Sequence, residues 1–136
     1  MYEKILVPID MAHKAEGKKN IDDAIARSTE GAKITLLYVV EEIPNWAAIS
    51  LPAELIDKSL AEAHDDLKAI ANATGRKMDV EVRTGHSYNT ILDVAEEKEV
   101  DLIIVASHRP GLKDYFLGST AAKVVRHAKC SVLVIR

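Results

Sequence analysis

Apolar residues fall along the chain in two alternating rhythms. Lys4-Ile5-Leu6-Val7-Pro8-Ile9-Asp10, the run from Ile34 to Val40, Asp101 to Ser107 and Ser131 to Ile135 are short and almost continuously apolar. Runs of this kind fit strands buried on both faces, as a parallel sheet requires. Met78 to Arg83 alternates apolar and polar residues, which predicts a half-exposed edge strand. Helical spacing lies between these runs. Ile56, Leu60, Ala63, Leu67 and Ile70 recur every three or four residues and predict a helix over about residues 53–74, closed by Gly75. Ile21, Ala24, Ile25 and Ser28 predict a shorter helix that ends near Gly31. Ile91, Val94 and Ala95 predict a third, and Ala121, Val124, Val125 and Ala128 a fourth.

Strand and helix thus alternate from end to end, the signature of an α/β protein with a parallel sheet. A chain of 136 residues is expected to form one domain over residues 1–136. Its longest irregular stretch, about residues 41–52, contains Pro44, Trp46 and Pro52 and reads as either a cover over a site or a plain connection.

Composition narrows the class. Hydrophobic residues make up 48% but aromatics only 4%, so Ile, Val, Leu and Ala supply the core, as in strands covered by Ala-rich helices. Net charge is -3, which argues against a nucleic-acid partner bound through bulk electrostatics. A lone cysteine, Cys130, cannot form an internal disulfide and reads as a small packed residue. No apolar run approaches the ~20 residues of a membrane span, and the N-terminus lacks a signal-peptide pattern. The expected setting is cytoplasmic.

In open parallel sheets, ligands bind beyond the carboxyl ends of the strands, where the strand order reverses. The ends at Asp10, Val39 and Ser107-His108 are therefore the first candidates. The stretch from Ala106 to Thr120 leads from a buried strand into a helix starting near Gly118. A helix start carries unpaired N–H groups and a partial positive charge, which favour an anion. Gly118 permits close approach, Ser119 and Thr120 add hydroxyls, and Arg109 adds a permanent charge suited to phosphate. The alternative is a simple helix cap with a solvated arginine. A Walker A loop, a dinucleotide G-x-G-x-x-G and a G-x-S-x-G nucleophile elbow are all absent from the sequence. His108 reads as a loop hydrogen-bonding residue rather than a general base. His13, His64, His86 and His127 show no metal-ligand spacing and read as surface or helix residues. Glu96, Glu97, Lys98 and Glu99 read as a solvated helix face.

Taken together, Ile5-Leu6-Val7-Pro8-Ile9-Asp10, Leu36-Leu37-Tyr38-Val39, the Gly85 turn, and the segment from Asp101 to Ile135 with its Ser107-His108, Gly118-Ser119 and Cys130-Ser131-Val132 resemble the universal stress protein family. The resemblance covers the whole chain. It implies an open five-stranded, Rossmann-like parallel sheet of order 3-2-1-4-5 with helices on both faces. Nucleotide-binding members of the family are similar in a loop of form G-x2-G-x9-G-[ST]. Here Ala106 stands at the first glycine and Arg109 at the second, and the loop is one residue shorter; Ser-His-Arg-Pro with Leu-Gly-Ser resembles the UspF-like branch.

The resemblance implies ATP (or AMP or ADP) as ligand, with Mg possible on the phosphates and no metal site of the protein's own. Pro8 and Ile9 would shape the pocket wall, and Asp10 and Val39 would flank ribose and adenine, with the Val39 main chain reading the base. Ala106, Ser107, His108, Arg109, Gly118, Ser119 and Thr120 would hold ribose and phosphates. It also implies a homodimer paired through Ser131 to Ile135, in a regulatory or stress-response module without dedicated catalysis. Two other readings stay open: an interaction protein of the same fold that binds no nucleotide, and a slow ATPase.

Overall fold

A computed structural model of the chain describes residues 1–41, 52–107 and 118–136. The elements run β1 (Tyr2–Pro8), a 3-10 turn (Met11–His13), α1 (Lys14–Arg27), β2 (Ser28–Val40), α2 (Ala53–Ala73), β3 (Asp79–Thr84), α3 (Ser87–Glu97), β4 (Leu102–Ala106), α4 (Ser119–His127) and β5 (Ser131–Ile135). All strand pairings are parallel, and the order across the sheet is β3-β2-β1-β4-β5. This is the expected five-stranded, 3-2-1-4-5 sheet.

The continuous apolar runs are explained by the two faces of the sheet. Successive side chains on a strand point to opposite sides. Ile5 and Val7 of β1, Ile34 and Leu36 of β2, and Leu102 and Ile104 of β4 all join one cluster, under Ile21 and Ala24 of α1 and Leu67 and Ala71 of α2. Leu6, Leu37, Ile103 and Val105 join the other, under Ile91 and Val94 of α3 and Ala121 and Val124 of α4. Each fully buried Ile, Leu or Val stabilises the fold by about 1.5–3 kcal/mol. The register stacks these layers, with Ile5 opposite both Ile34 and Leu102. Asp101 helps to set it: its two carboxylate oxygens accept the Glu3 and Lys4 N–H groups, each at 2.9 Å, and tie the start of β4 to β1.

Three boundaries depart from expectation. Helix α1 begins at Lys14, well before Ile21, because Lys14 to Asn20 has good helix formers but no large apolar residue to mark a period. It ends at Arg27 rather than near Gly31. Ser28 closes it, with its hydroxyl donating to the Ile25 carbonyl at 2.8 Å. Gly31 instead lies inside β2, at φ 79°, where the register slips between Tyr2↔Ser28 and Lys4↔Lys33 and the extra residues need a left-handed backbone. Strand β1 stops at Pro8, so Asp10 lies past the strand rather than at its last position.

The Glu96–Glu99 run is not simply solvated. Glu97 meets Arg83 of β3, Lys98 Nζ lies 3.8 Å from Glu81, and Glu99 lies 3.8 Å from Lys4 Nζ. Among the described residues no helix is long and apolar enough to cross a membrane.

Candidate functional site

The crossover from β3 to β4 reverses the direction in which the sheet is built, and it leaves β1 and β4 as neighbours with their connections leading opposite ways. A cleft of about 990 Å³ opens at their carboxyl ends.

The first wall grows from the end of β1. Pro8 has no N–H to continue the ladder, and the Ile9 N–H makes a last bond to the Leu37 carbonyl at 2.7 Å. Asp10 is then extended (φ -90°, ψ 110°) and caps the 3-10 turn, its Oδ1 accepting the Ala12 N–H at 2.9 Å. Its Oδ2 lies 3.9 Å from His13 Nε2, and the side chain is 57% exposed at the cleft rim. One oxygen of this carboxylate thus caps the turn, and the group remains exposed in the cleft lining. Gly17 lets α1 sit close to this wall, since a Cβ there would lie 3.1 Å from Ile9 Cγ2.

The second wall comes from β4 and α4. Ala106 is exposed at the strand end. Ser107 is buried, its N–H donating to the Ile135 carbonyl at 2.8 Å and its carbonyl accepting the Gly118 N–H. That last bond joins Ser107 to Gly118, which stands at the rim as the cap residue of α4. The leading N–H groups of Ser119, Thr120 and Ala121, which an α-helix leaves without internal partners, therefore begin at the cleft. His108 and Arg109 lie outside the described residues, as does Trp46.

The third wall is the end of β2. Leu37 directs its carbonyl to the β1 side, whereas Val40 directs its own to β3, accepting the Gly85 N–H at 2.9 Å. By the same alternation, Val39 turns its N–H and C=O toward the β1 side, past the point where the β1 register ends at Pro8↔Leu37. A strand edge is thereby open to the cleft for a donor–acceptor pair on a ligand.

Pro8, Ile9, Asp10, Val39, Ala106, Ser107, Gly118, Ser119 and Thr120 all line this one cleft. Their sequence separation is closed entirely by the sheet. The cleft also contains residues not assigned to it from the sequence: His13, which reads from the sequence only as a surface or helix residue, Glu16 and Gly17 of the α1 wall, Asn20 at only 3% exposure, and Glu41 and Ser87 at the β2 end. The periodicity of α1 could have pointed to Asn20, which occupies an inward position next to Ile21; nothing local marks the others. Asp10, Glu16 and Glu41 bring carboxylates to the lining, while its described residues include no Lys or Arg. An anion would therefore rely on the start of α4, on His13, or on residues beyond those described. Among the described residues no group of three His, Cys, Asp or Glu could hold a metal ion.

A doubly wound parallel sheet with a cleft at its switch point defines a broad class of ligand-binding α/β proteins. The universal stress protein family model matches residues 1–136, and the chain belongs to that family. A universal stress protein of Methanocaldococcus jannaschii is 32% identical over 146 residues, spanning 100% of this chain and 83% of that protein. The solved structure of universal stress protein UspA from Lactobacillus plantarum is 31% identical, with a TM-score of 0.75 over 99% of this chain and 98% of that one. That of hypothetical protein MJ0577 is 30% identical, with a TM-score of 0.81 over 99% and 96%. More distant structures share the fold: a universal stress protein in complex with cAMP (20% identity, TM-score 0.71, over 99% and 97%) and one from Archaeoglobus fulgidus in complex with dAMP (18%, 0.61, over 99% and 98%).

Proposed function

We propose that this protein binds an adenine nucleotide in the switch-point cleft and acts as a dimeric regulatory module in the cytoplasm. The observation that carries the reading is the convergence on one cleft of an open strand edge at Val39, a carboxylate at Asp10 and a helix start at Gly118-Ser119-Thr120. These three suit a base, a ribose and phosphates in turn. Relatives of the same fold in complex with cAMP and dAMP support the same ligand class.

ATP, with AMP and ADP as shorter forms, is the ligand of first choice. Mg would arrive on the phosphates, offsetting the carboxylates of the lining. His108 and Arg109 would complete the phosphate cradle. The cleft is read as the seat of a binding switch rather than of a dedicated enzyme. Strand β5 is one edge of the sheet, and its apolar residues from Val132 to Ile135 are only half-buried, which favours pairing with a second copy.

Calorimetry with ATP and magnesium, alongside a Gly118→Val variant, tests the reading. Saturable binding by the parent protein, at least ~10-fold weaker in the variant while the dimer persists, is the expected outcome. Absence of heat at saturating ATP overturns it. It would favour the interaction-protein reading, for which the Ala106/Arg109 departure from the loop pattern and the acidic lining already speak.

A further inference from the structure

The geometry points to Glu41 as the residue that makes the site select a 6-amino purine over a 6-oxo purine, an inference that rests on the nucleotide reading above. Glu41 follows Val39 by two residues on β2 and its immediate continuation, so both side chains lie on the same face of the sheet, and both line the cleft. Two residues along a strand are about 6.6 Å apart, within the span of a purine and its substituents. The carboxylate is held in place. Ser87, the first residue of α3, donates its hydroxyl to Glu41 Oε1. His86 Nδ1 lies 3.9 Å from Oε2. The start of α3 also presents the positive end of its dipole to this carboxylate.

The support beneath this arrangement is specific. The Gly85 N–H donates to the Val40 carbonyl at 2.9 Å, so the chain leaving β3 stays against the end of β2. A Cβ at Gly85 would lie 2.6 Å from Thr90 Oγ1, so only glycine lets α3 begin this close. Ser87 is thereby brought to Glu41 across 46 residues of sequence.

A carboxylate only accepts hydrogen bonds. Adenine carries an amino donor on carbon 6, whereas guanine and hypoxanthine carry a carbonyl acceptor there. Set beside a base read by the Val39 main chain, Glu41 attracts the first and repels the second. Its repulsion of the wrong base contributes to selection as much as its attraction for the right one. Ser87 is the positioning residue: it occupies Oε1, while Oε2, 3.9 Å from His86 Nδ1, keeps lone pairs for the base.

The test compares AMP with inosine monophosphate, which differ at carbon 6 and in the N1 proton that follows from it, by calorimetry on the parent protein and on Glu41→Gln. A glutamine keeps an acceptor for Ser87 and can turn an amide donor toward a carbonyl. The parent is expected to prefer AMP by about 10-fold or more, and Glu41→Gln to lower that ratio at least ~5-fold, mainly by strengthening inosine monophosphate. Ser87→Ala is expected to lower the ratio less. AMP binding with the same ratio in parent and Glu41→Gln overturns the role of Glu41 and leaves the nucleotide site standing. Binding of neither nucleotide by the parent overturns both.

Discussion

The two edges of the sheet are built to opposite specifications. Strand β3 pairs with β2 from Thr35↔Asp79 to Val40↔Thr84, and β5 pairs with β4 from Leu102↔Ser131 to Ala106↔Ile135. The central residues of both are half-buried. On β3, however, one face carries Val80 and Val82, and the other carries Glu81 and Arg83. The charges are fastened rather than loose. Arg83 Nε donates to Glu81 at 3.1 Å, and Arg83 Nη1 donates to Glu97 of α3 at 3.0 Å. On β5 both faces are hydrocarbon: Leu133 and Ile135 on one, Val132 and Val134 on the other. A charged edge resists pairing with another chain, and a hydrocarbon edge invites it. Equal exposure therefore carries different meaning at the two ends, and chemistry rather than area separates them.

The largest effect that would break this contrast lies at the turn leaving β3. Gly85→Val drives a side chain into Thr90 and moves α3 off the edge it fastens. A loss of about 1–3 kcal/mol is expected in urea unfolding, as for overpacked core positions. An unchanged midpoint would mean that the edge is not held by this close approach.

Val134→Lys addresses the other edge. If β5 is a subunit interface, burying a lysine there weakens association by about 100-fold or more in sedimentation equilibrium, while each protomer stays folded because Val134 is only half-buried. An unaltered association constant would place the interface elsewhere.

Arg83→Met is expected to have a smaller effect, and its pH dependence identifies it. Hydrogen bonding to Arg83 holds the Glu97 carboxyl below its usual range. A carboxyl depressed in the folded state contributes stability above its unfolded value of about 4.3, and that contribution fades as pH falls through the lower folded value. Arg83→Met should therefore destabilise the protein at pH 7 and approach the parent as pH falls through the lowered folded value of Glu97. Parallel pH–stability curves for the two proteins would show that the pair does not fasten the edge.

Lys129→Ala gives the smallest change. Lys129 Nζ lies 3.7 Å from Glu96, but both side chains are largely exposed, and such a pair is expected to contribute no more than a few tenths of a kcal/mol. A loss above about 1 kcal/mol would mean that charges fasten the β5 side too.

Three of the four continuous apolar runs and the alternating run at Met78–Arg83 were legible as buried and edge strands because burial on two faces or one leaves a local trace; the fourth, Ser131 to Ile135, has the same pattern but forms a half-buried edge. The strand ends that form the cleft were legible for the same reason, once a parallel sheet was inferred. The first half of α1 was not, because Lys14 to Asn20 packs through Gly17 and Asn20 rather than through large apolar residues. Nor was the pairing of Glu97 with Arg83, since a charged run looks the same whether its partners are water or a strand fourteen residues earlier. Glu41 and Ser87 gave no local signal at all.

Periodicity and composition by themselves determined the class of fold, most of its elements and the strand ends where a ligand would sit, because hydrophobic spacing is a local consequence of which faces are buried. Tertiary structure alone decided which residues meet there. It brought His13, Asn20, Glu41 and Ser87 to the cleft, split the capping and outward roles of Asp10, and separated a fastened edge from a bare one. Those outcomes depend on parallel register and on close approach at Gly17 and Gly85. These are distances across the sheet and between helix and strand, which no spacing along the chain encodes.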